Sequence, residues 1–144
     1  MTVLDAQAVL AYLKEEPAAV EAGRLMDQGA ELTTIGVAEV IDHLIRVLGL
    51  EEDRAMIELA TLDLPEARLL DAELMVGVGR LRARQYHRRS REVSLADCIA
   101  AEVARAAGTG LATSDPHLLD LCHEEGIATI PLPDSRGRTW TAPA

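Results

Sequence analysis

The sequence predicts an α/β fold built on a mainly parallel sheet, and three observations carry that expectation. Short apolar runs of strand length alternate along the 144 residues with longer segments of helical period. Prolines stand where those helical segments begin, and glycines where they end. The chain is 49% hydrophobic yet only 2% aromatic, with no Phe, so its core is Leu, Val, Ile and Ala, which suits helices laid on a small sheet. Alternation of this kind puts helices on both faces of the sheet.

Taken in order, Thr2 to Leu4 reads as a strand and Ala6 to Glu15 as a helix. Pro17 opens a second helix that runs to about Gln28 and closes at Gly29. Strand Glu31 to Thr33 leads into helix Ile35 to Leu48, closed by Gly49, and a helix near Glu51 to Ile57 precedes a short strand around Ala60 to Leu64. Pro65 starts a long helix reaching about Tyr86. After an arginine-rich stretch, Ser94 caps helix Leu95 to Ala107, which ends at Gly108. Strand Gly110 to Thr113 then delivers Asp115 as N-cap, with Pro116 in the first helical position of a helix to Glu125, and Ala128 to Pro131 forms the last of about five strands. There is no internal repeat. Residues 1–132 are expected to make one domain, and residues 133–144, rich in Pro, Gly and Arg, a loose tail.

Four acidic residues stand where this reading ends a strand or begins a helix: Asp5, Glu39, Asp97 and Asp115. In open α/β sheets, ligand sites gather at the carboxyl ends of the strands, so a parallel sheet would bring all four into one pocket. Like charges so gathered oppose one another's ionisation. Hard divalent cations that prefer oxygen, Mg²⁺ or Mn²⁺, relieve this. Each acid also has an ordinary role open to it. Asp5 could simply cap the end of its strand, Asp115 is a good helix N-cap, Asp97 fits a capping box with Ser94, and Glu39 sits where solvated glutamates are common. Thr113 and Ser114 offer hydroxyls beside Asp115 that could support a carboxylate, or simply make a turn. Asp42 and His43 lie three and four residues after Glu39, a spacing that permits a zinc site but more often gives a solvated face. His87 and His117 have no nucleophile arranged around them and read as surface residues, while Cys98 and Cys122 read as reduced, packed thiols.

The stretches Val3 to Leu13, Thr33 to Val40, Ser94 to Ala101 and Leu111 to Asp115 resemble, in order and spacing, the PIN-domain nucleases, most closely the ribonuclease toxins of VapBC toxin–antitoxin pairs. The resemblance covers nearly the whole chain. It implies a three-layer α/β/α sandwich and metal-assisted hydrolysis of RNA phosphodiester bonds by an activated water. Asp5, Asp97 and Asp115 would hold one ion, and Glu39 a second ion or the water. It further implies a homodimer, and an antitoxin partner whose C-terminal segment blocks the pocket. Ala6 and Gln7 depart from the family pattern, which carries hydroxyl residues directly after the first aspartate. An inactive PIN fold that binds protein or RNA without cutting is therefore the alternative. A phosphotransferase using Asp5 as nucleophile of the haloacid-dehalogenase type would want a second aspartate at Gln7, and PIN-like flap nucleases need extra helical elements for which 144 residues leave no room.

A net charge of −10 is unusual for a protein that handles nucleic acid. Six of the 14 basic residues, however, fall between Gly79 and Glu92. Among them Arg82, Arg84, Arg88 and Arg89 are candidates for holding an RNA backbone next to the acidic pocket, although arginines late in a helix also complement its dipole. No apolar run approaches the roughly 18 residues that span a bilayer, and the chain opens directly on a strand, so a cytoplasmic location is expected. Trp140, the only tryptophan, has no role legible in the sequence.

Overall fold

The computed structural model describes residues 1–144. Four short strands form one parallel sheet: β1 (Thr2–Leu4), β2 (Ala30–Leu32), β3 (Leu111–Thr113) and β4 (Thr129–Pro131), in the order β2-β1-β3-β4. Val3 pairs with Glu31 on one side and Leu111 on the other, and Ala112 pairs with Ile130. The chain leaves β1 towards β2, then crosses back to β3 on the other side of β1. The switch in direction therefore lies at the carboxyl ends of β1 and β3, where the crevice of an open sheet forms.

Seven α-helices cover the sheet: α1 (Ala6–Leu13), α2 (Ala19–Asp27), α3 (Thr34–Asp42), α4 (Glu52–Thr61), α5 (Ala72–Gln85), α6 (Leu95–Ala107) and α7 (Pro116–Glu125). Because side chains alternate across a strand, neighbouring residues serve opposite cores. Val3 and Leu111 pack with Val78, Leu81, Cys98, Val103 and Leu118 of the α5, α6 and α7 side. Leu4, Leu32 and Ala112 pack with Val9, Leu25, Val40 and Ala55 of the α1 to α4 side. The result is the expected three-layer α/β/α arrangement. Glycines at φ 65° and 69°, Gly108 and Gly126, close α6 and α7 in the left-handed conformation that glycine adopts without steric cost.

Three elements differ from the sequence expectation. The strand expected around Ala60 to Leu64 does not form: α4 continues through Thr61, and Asp63 turns the chain with φ 50°. Leu59, Leu62 and Leu64 all pack on the same core, so apolar residues that read as strand alternation serve a helix end and the turn after it. The helix expected from Pro65 begins only at Ala72, because Asp71 accepts a bond from Leu74 N–H at 2.8 Å and fixes the start there. The segment between is tied down by Arg68, whose guanidinium lies 3.1 Å from Glu31, a carboxylate only 5% exposed on β2. The helix expected to Leu48 changes after Asp42 into one π-helical turn, His43–Val47. In the segment expected to be loose, Trp140 Nε1–H donates to Asp120 at 2.8 Å and its ring meets His123 edge-on at 6.1 Å, which lays the C-terminus along α7. No helix is long and apolar enough to cross a membrane.

Candidate active site

One pocket of about 240 Å³ is lined by Asp5, Glu39, Asp97 and Asp115 together. Local hydrogen bonding explains how each reaches it. Asp5 follows β1 directly and caps α1, its Oδ1 accepting from Ala8 N–H at 2.7 Å. Asp115 follows β3 and caps α7, accepting from His117 N–H at 2.9 Å. Ser94 caps α6 by accepting from Asp97 N–H at 3.0 Å, and Asp97 returns the bond by accepting from Ser94 N–H at 2.8 Å. Glu39 lies further along α3, three residues after Gly36 on the same face. A Cβ at Gly36 would stand 2.5 Å from the Leu32 side chain, so glycine lets α3 lie close on β2 and bring Glu39 to the pocket.

Sequence reasoning missed Thr33, although two threonines before an apolar helical run are a legible cap signal. Thr33 caps α3 by accepting from Gly36 N–H at 2.9 Å and lines the same pocket. Asp5, Thr33, Ser94 and Asp115 are thus the N-caps of four helices whose positive ends converge on one space. Four helix N-termini at one pocket favour anionic groups there, each on the order of 0.3–1 kcal/mol when exposed and more when partly buried.

The charge in the pocket is nevertheless under-compensated. Burial raises the Asp5 carboxyl from its ordinary 3.8 to about 7, with Asp97 and Asp115 adding repulsion and bonds from Thr113 and Ala8 opposing it. Burial also raises Asp97, with Asp115 contributing, and raises Glu39, with Asp97 contributing. No Lys, Arg or His forms an ion pair with any of the four. An all-oxygen donor set with surplus negative charge has the chemistry that a hard divalent cation takes. As the side chains stand, no three acidic, histidine or cysteine groups are arranged around a single point for one ion.

The remaining candidates fall into distinct places. The Thr113 hydroxyl is fully buried and donates to Asp5 Oδ2, while Asp115 N–H donates to Thr113 Oγ1 at 3.1 Å. Ser114 makes no side-chain hydrogen bond and does not line the pocket, whereas Gln7 lines it with its amide exposed. Asp42 is held by Arg46 at 2.8 Å, and neither Asp42 nor His43 lines the pocket, so the zinc spacing with Glu39 gathers nothing. His87 Nδ1 accepts from Arg89 N–H and Ser90 N–H and organises a turn. Cys98 and Cys122 are buried free thiols, pushed by desolvation to about 11 and about 12.

The arginine cluster divides. Arg84 lies 2.6 Å from Glu125, which also binds Arg105 at 2.8 Å, and Arg91 pairs with Glu124 at 2.8 Å. Arg84 and Arg91 thus fasten α5 and the following turn to α7, and Arg105 fastens α6 to it. Arg82 Nε–H donates to the Val93 carbonyl at 3.0 Å, and its guanidinium lies 4.4 Å from the centre of the Tyr86 ring. Arg88 and Arg89 are exposed and have no side-chain partner.

The PIN domain family model matches residues 2–124. No curated protein matches the chain by sequence. Among solved structures, it is similar to VapBC2 from Rickettsia felis bound to a DNA fragment from their promoter, with 16% identity, TM-score 0.63, and coverage of 90% of this chain and 96% of that one. FitAcB from Neisseria gonorrhoeae gives 19% identity and TM-score 0.63, with the same coverage. FitAB bound to a DNA fragment gives 18% and 0.65, covering 90% of this chain and 94% of that one. These likenesses share the layered fold, and the family match across residues 2–124 places the protein in the PIN-domain family.

Proposed function

We propose that this protein is an endoribonuclease dependent on Mg²⁺ or Mn²⁺, and the toxin of a type II toxin–antitoxin pair. The observation that carries the reading is the single pocket in which Asp5, Glu39, Asp97 and Asp115 meet with no cationic side chain ion-paired to any of them. Membership of the PIN-domain family supports nuclease chemistry, and the VapBC-like fold supports the toxin assignment. When bound, the cation would offset the charge that builds on the phosphate in the transition state and make water more acidic. The chain's own residues do the rest. Asp5, Asp97 and Asp115 would hold the cation, and Glu39 would orient the attacking water or a second ion. Thr113 fixes the Asp5 carboxylate through its hydroxyl. The four helix N-termini draw the phosphate inward, and Arg88 and Arg89 hold the strand outside the pocket by charge. No side-chain nucleophile is required. The antitoxin would cover the acidic pocket with a basic segment, and the active form would be a cytoplasmic homodimer.

Cleavage of cellular RNA by the purified protein in Mg²⁺ or Mn²⁺, beside EDTA and Asp97→Asn controls, tests this. Metal-dependent cutting lost in the variant supports the nuclease. The second reading, a PIN fold that binds without cutting, is favoured by Ala6 beside Asp5 and by the lack of a preformed three-ligand arrangement. RNA bound but left intact in Mn²⁺ would support it instead.

A further inference from the structure

A second pocket, of about 250 Å³, opens where the last turns of α5 meet the start of α6, lined by Gly79, Arg82, Ala83, Tyr86 and Leu95. Its chemistry differs from that of the acidic pocket. Tyr86 is 41% exposed and Leu95 55% exposed, although both are large and apolar. The Arg82 guanidinium, anchored by the Val93 carbonyl, lies against the Tyr86 ring. A Cβ placed on Gly79 would meet nothing within 4 Å, so the glycine leaves this space open rather than serving a close contact. The pocket also adjoins the acids. Leu95 stands between Ser94 and Ala96, both of which line the acidic pocket.

An exposed aromatic ring, a guanidinium held in place and an aliphatic wall are the groups on which an unpaired nucleobase stacks. We infer that this pocket is a nucleobase subsite, which takes the base next to the phosphate lying in the acidic pocket. The inference rests on the ribonuclease reading above. Arg88 and Arg89, exposed and without a side-chain partner, stand in the turn that follows Tyr86. A base seated here sets the register of the strand, so the subsite contributes to which bond is cut. Only unpaired bases present a free face to the ring, so the preferred substrate is single-stranded.

The test uses the full chain and short single-stranded oligoribonucleotides carrying 2-aminopurine at successive positions. In an Asp97→Asn background, one position should lose fluorescence on binding, and Tyr86→Leu should restore it while Tyr86→Phe does not. In the active protein, Tyr86→Leu should raise KM about tenfold and leave kcat within about twofold, as expected for loss of one stacked base. Gly79→Leu, which fills the pocket from a helical position with room for the side chain, should do the same in a folded protein. Unchanged KM in both variants of a protein that still cleaves RNA, with no position quenched, would overturn the subsite and leave the nuclease standing. A change in sedimentation of both variants from dimer to monomer would overturn it in favour of contact with a second copy. Failure of the native chain to bind or cut any RNA would remove the nuclease reading, and the subsite with it.

Discussion

The Thr113 hydroxyl donates to the Asp5 carboxylate across 108 positions of sequence, joining the carboxyl ends of β3 and β1. The Asp115 N–H donates to Thr113 Oγ1 and leaves the hydroxyl proton free for Asp5, so two residues of the pocket, Asp5 and Asp115, are joined through Thr113 in one chain of bonds. Thr113→Val removes the donor and keeps the shape. We expect a loss of about 1–3 kcal/mol in stability, from a buried carboxyl deprived of a partner. Asp5 loses a contact that lowers its pKa, so the acid limb of the cleavage profile should move to higher pH. Calorimetry and a pH–rate profile check both, and superimposable curves would deny Thr113 its role.

The pocket makes stability depend on pH with a definite sign. Asp5 has a folded pKa of about 7 against its ordinary 3.8, so between these values the folded chain holds a proton that the unfolded chain has lost. Its contribution is fully present below about pH 4 and is lost as pH rises through 7, on the order of 4 kcal/mol. Asp97 and Glu39 act in the same direction. Glu125, lowered to about 2 chiefly by Arg84, acts oppositely: its contribution is present above its ordinary 4.5 and is lost as pH falls towards 2. In EDTA the melting temperature should therefore rise from pH 8 to about pH 5 and then fall. Saturating Mg²⁺ or Mn²⁺ should flatten the rise, because a bound cation favours ionised carboxylates. A flat curve in EDTA would count against the buried charge.

Asp5→Asn and Asp97→Asn should each abolish cleavage while the protein stays folded. Asparagine at 97 retains an oxygen for the Ser94 N–H, which preserves the cap of α6. Asp5→Asn should be more stable than the native chain at pH 8 in EDTA, by about 1–3 kcal/mol, since it removes a buried charge and its repulsion. Both variants should lose most of the thermal shift produced by Mn²⁺, measurable by differential scanning fluorimetry. Residual activity in either would reassign the residue.

The arginines should separate by salt dependence. Arg84→Ala breaks a pair with Glu125 that retains Arg105 and Gln85, so it should cost about 0.5–1 kcal/mol in stability and leave the salt slope of RNA binding unchanged. Replacing Arg88 and Arg89 together should leave stability unchanged and reduce that slope by about 1.4, corresponding to two single-strand phosphate contacts. Fluorescence anisotropy across a salt series distinguishes the two classes.

Much of this was legible before the fold was known because the relevant contacts are local. Ser94 with Asp97, Asp115 with His117 and Asp5 with Ala8 are bonds between residues two or three apart, so residue type and spacing announce them. Periodicity failed where local signals competed. Ala60 to Leu64 alternates like a strand, yet α4 extends into it and its leucines serve one core, while Asp71, rather than Pro65, starts α5.

The sequence by itself determined the α/β alternation, the helix caps and the identity of the four acids, because backbone propensities and capping bonds act within a few residues. Only the tertiary structure decided the convergence of four capped helix ends on one pocket, the Thr113 bond to Asp5 and the split of the arginines between Glu125 and solvent. Those depend on strand order and on helices packing side by side, which join residues 40 to 108 positions apart and leave no local periodic trace.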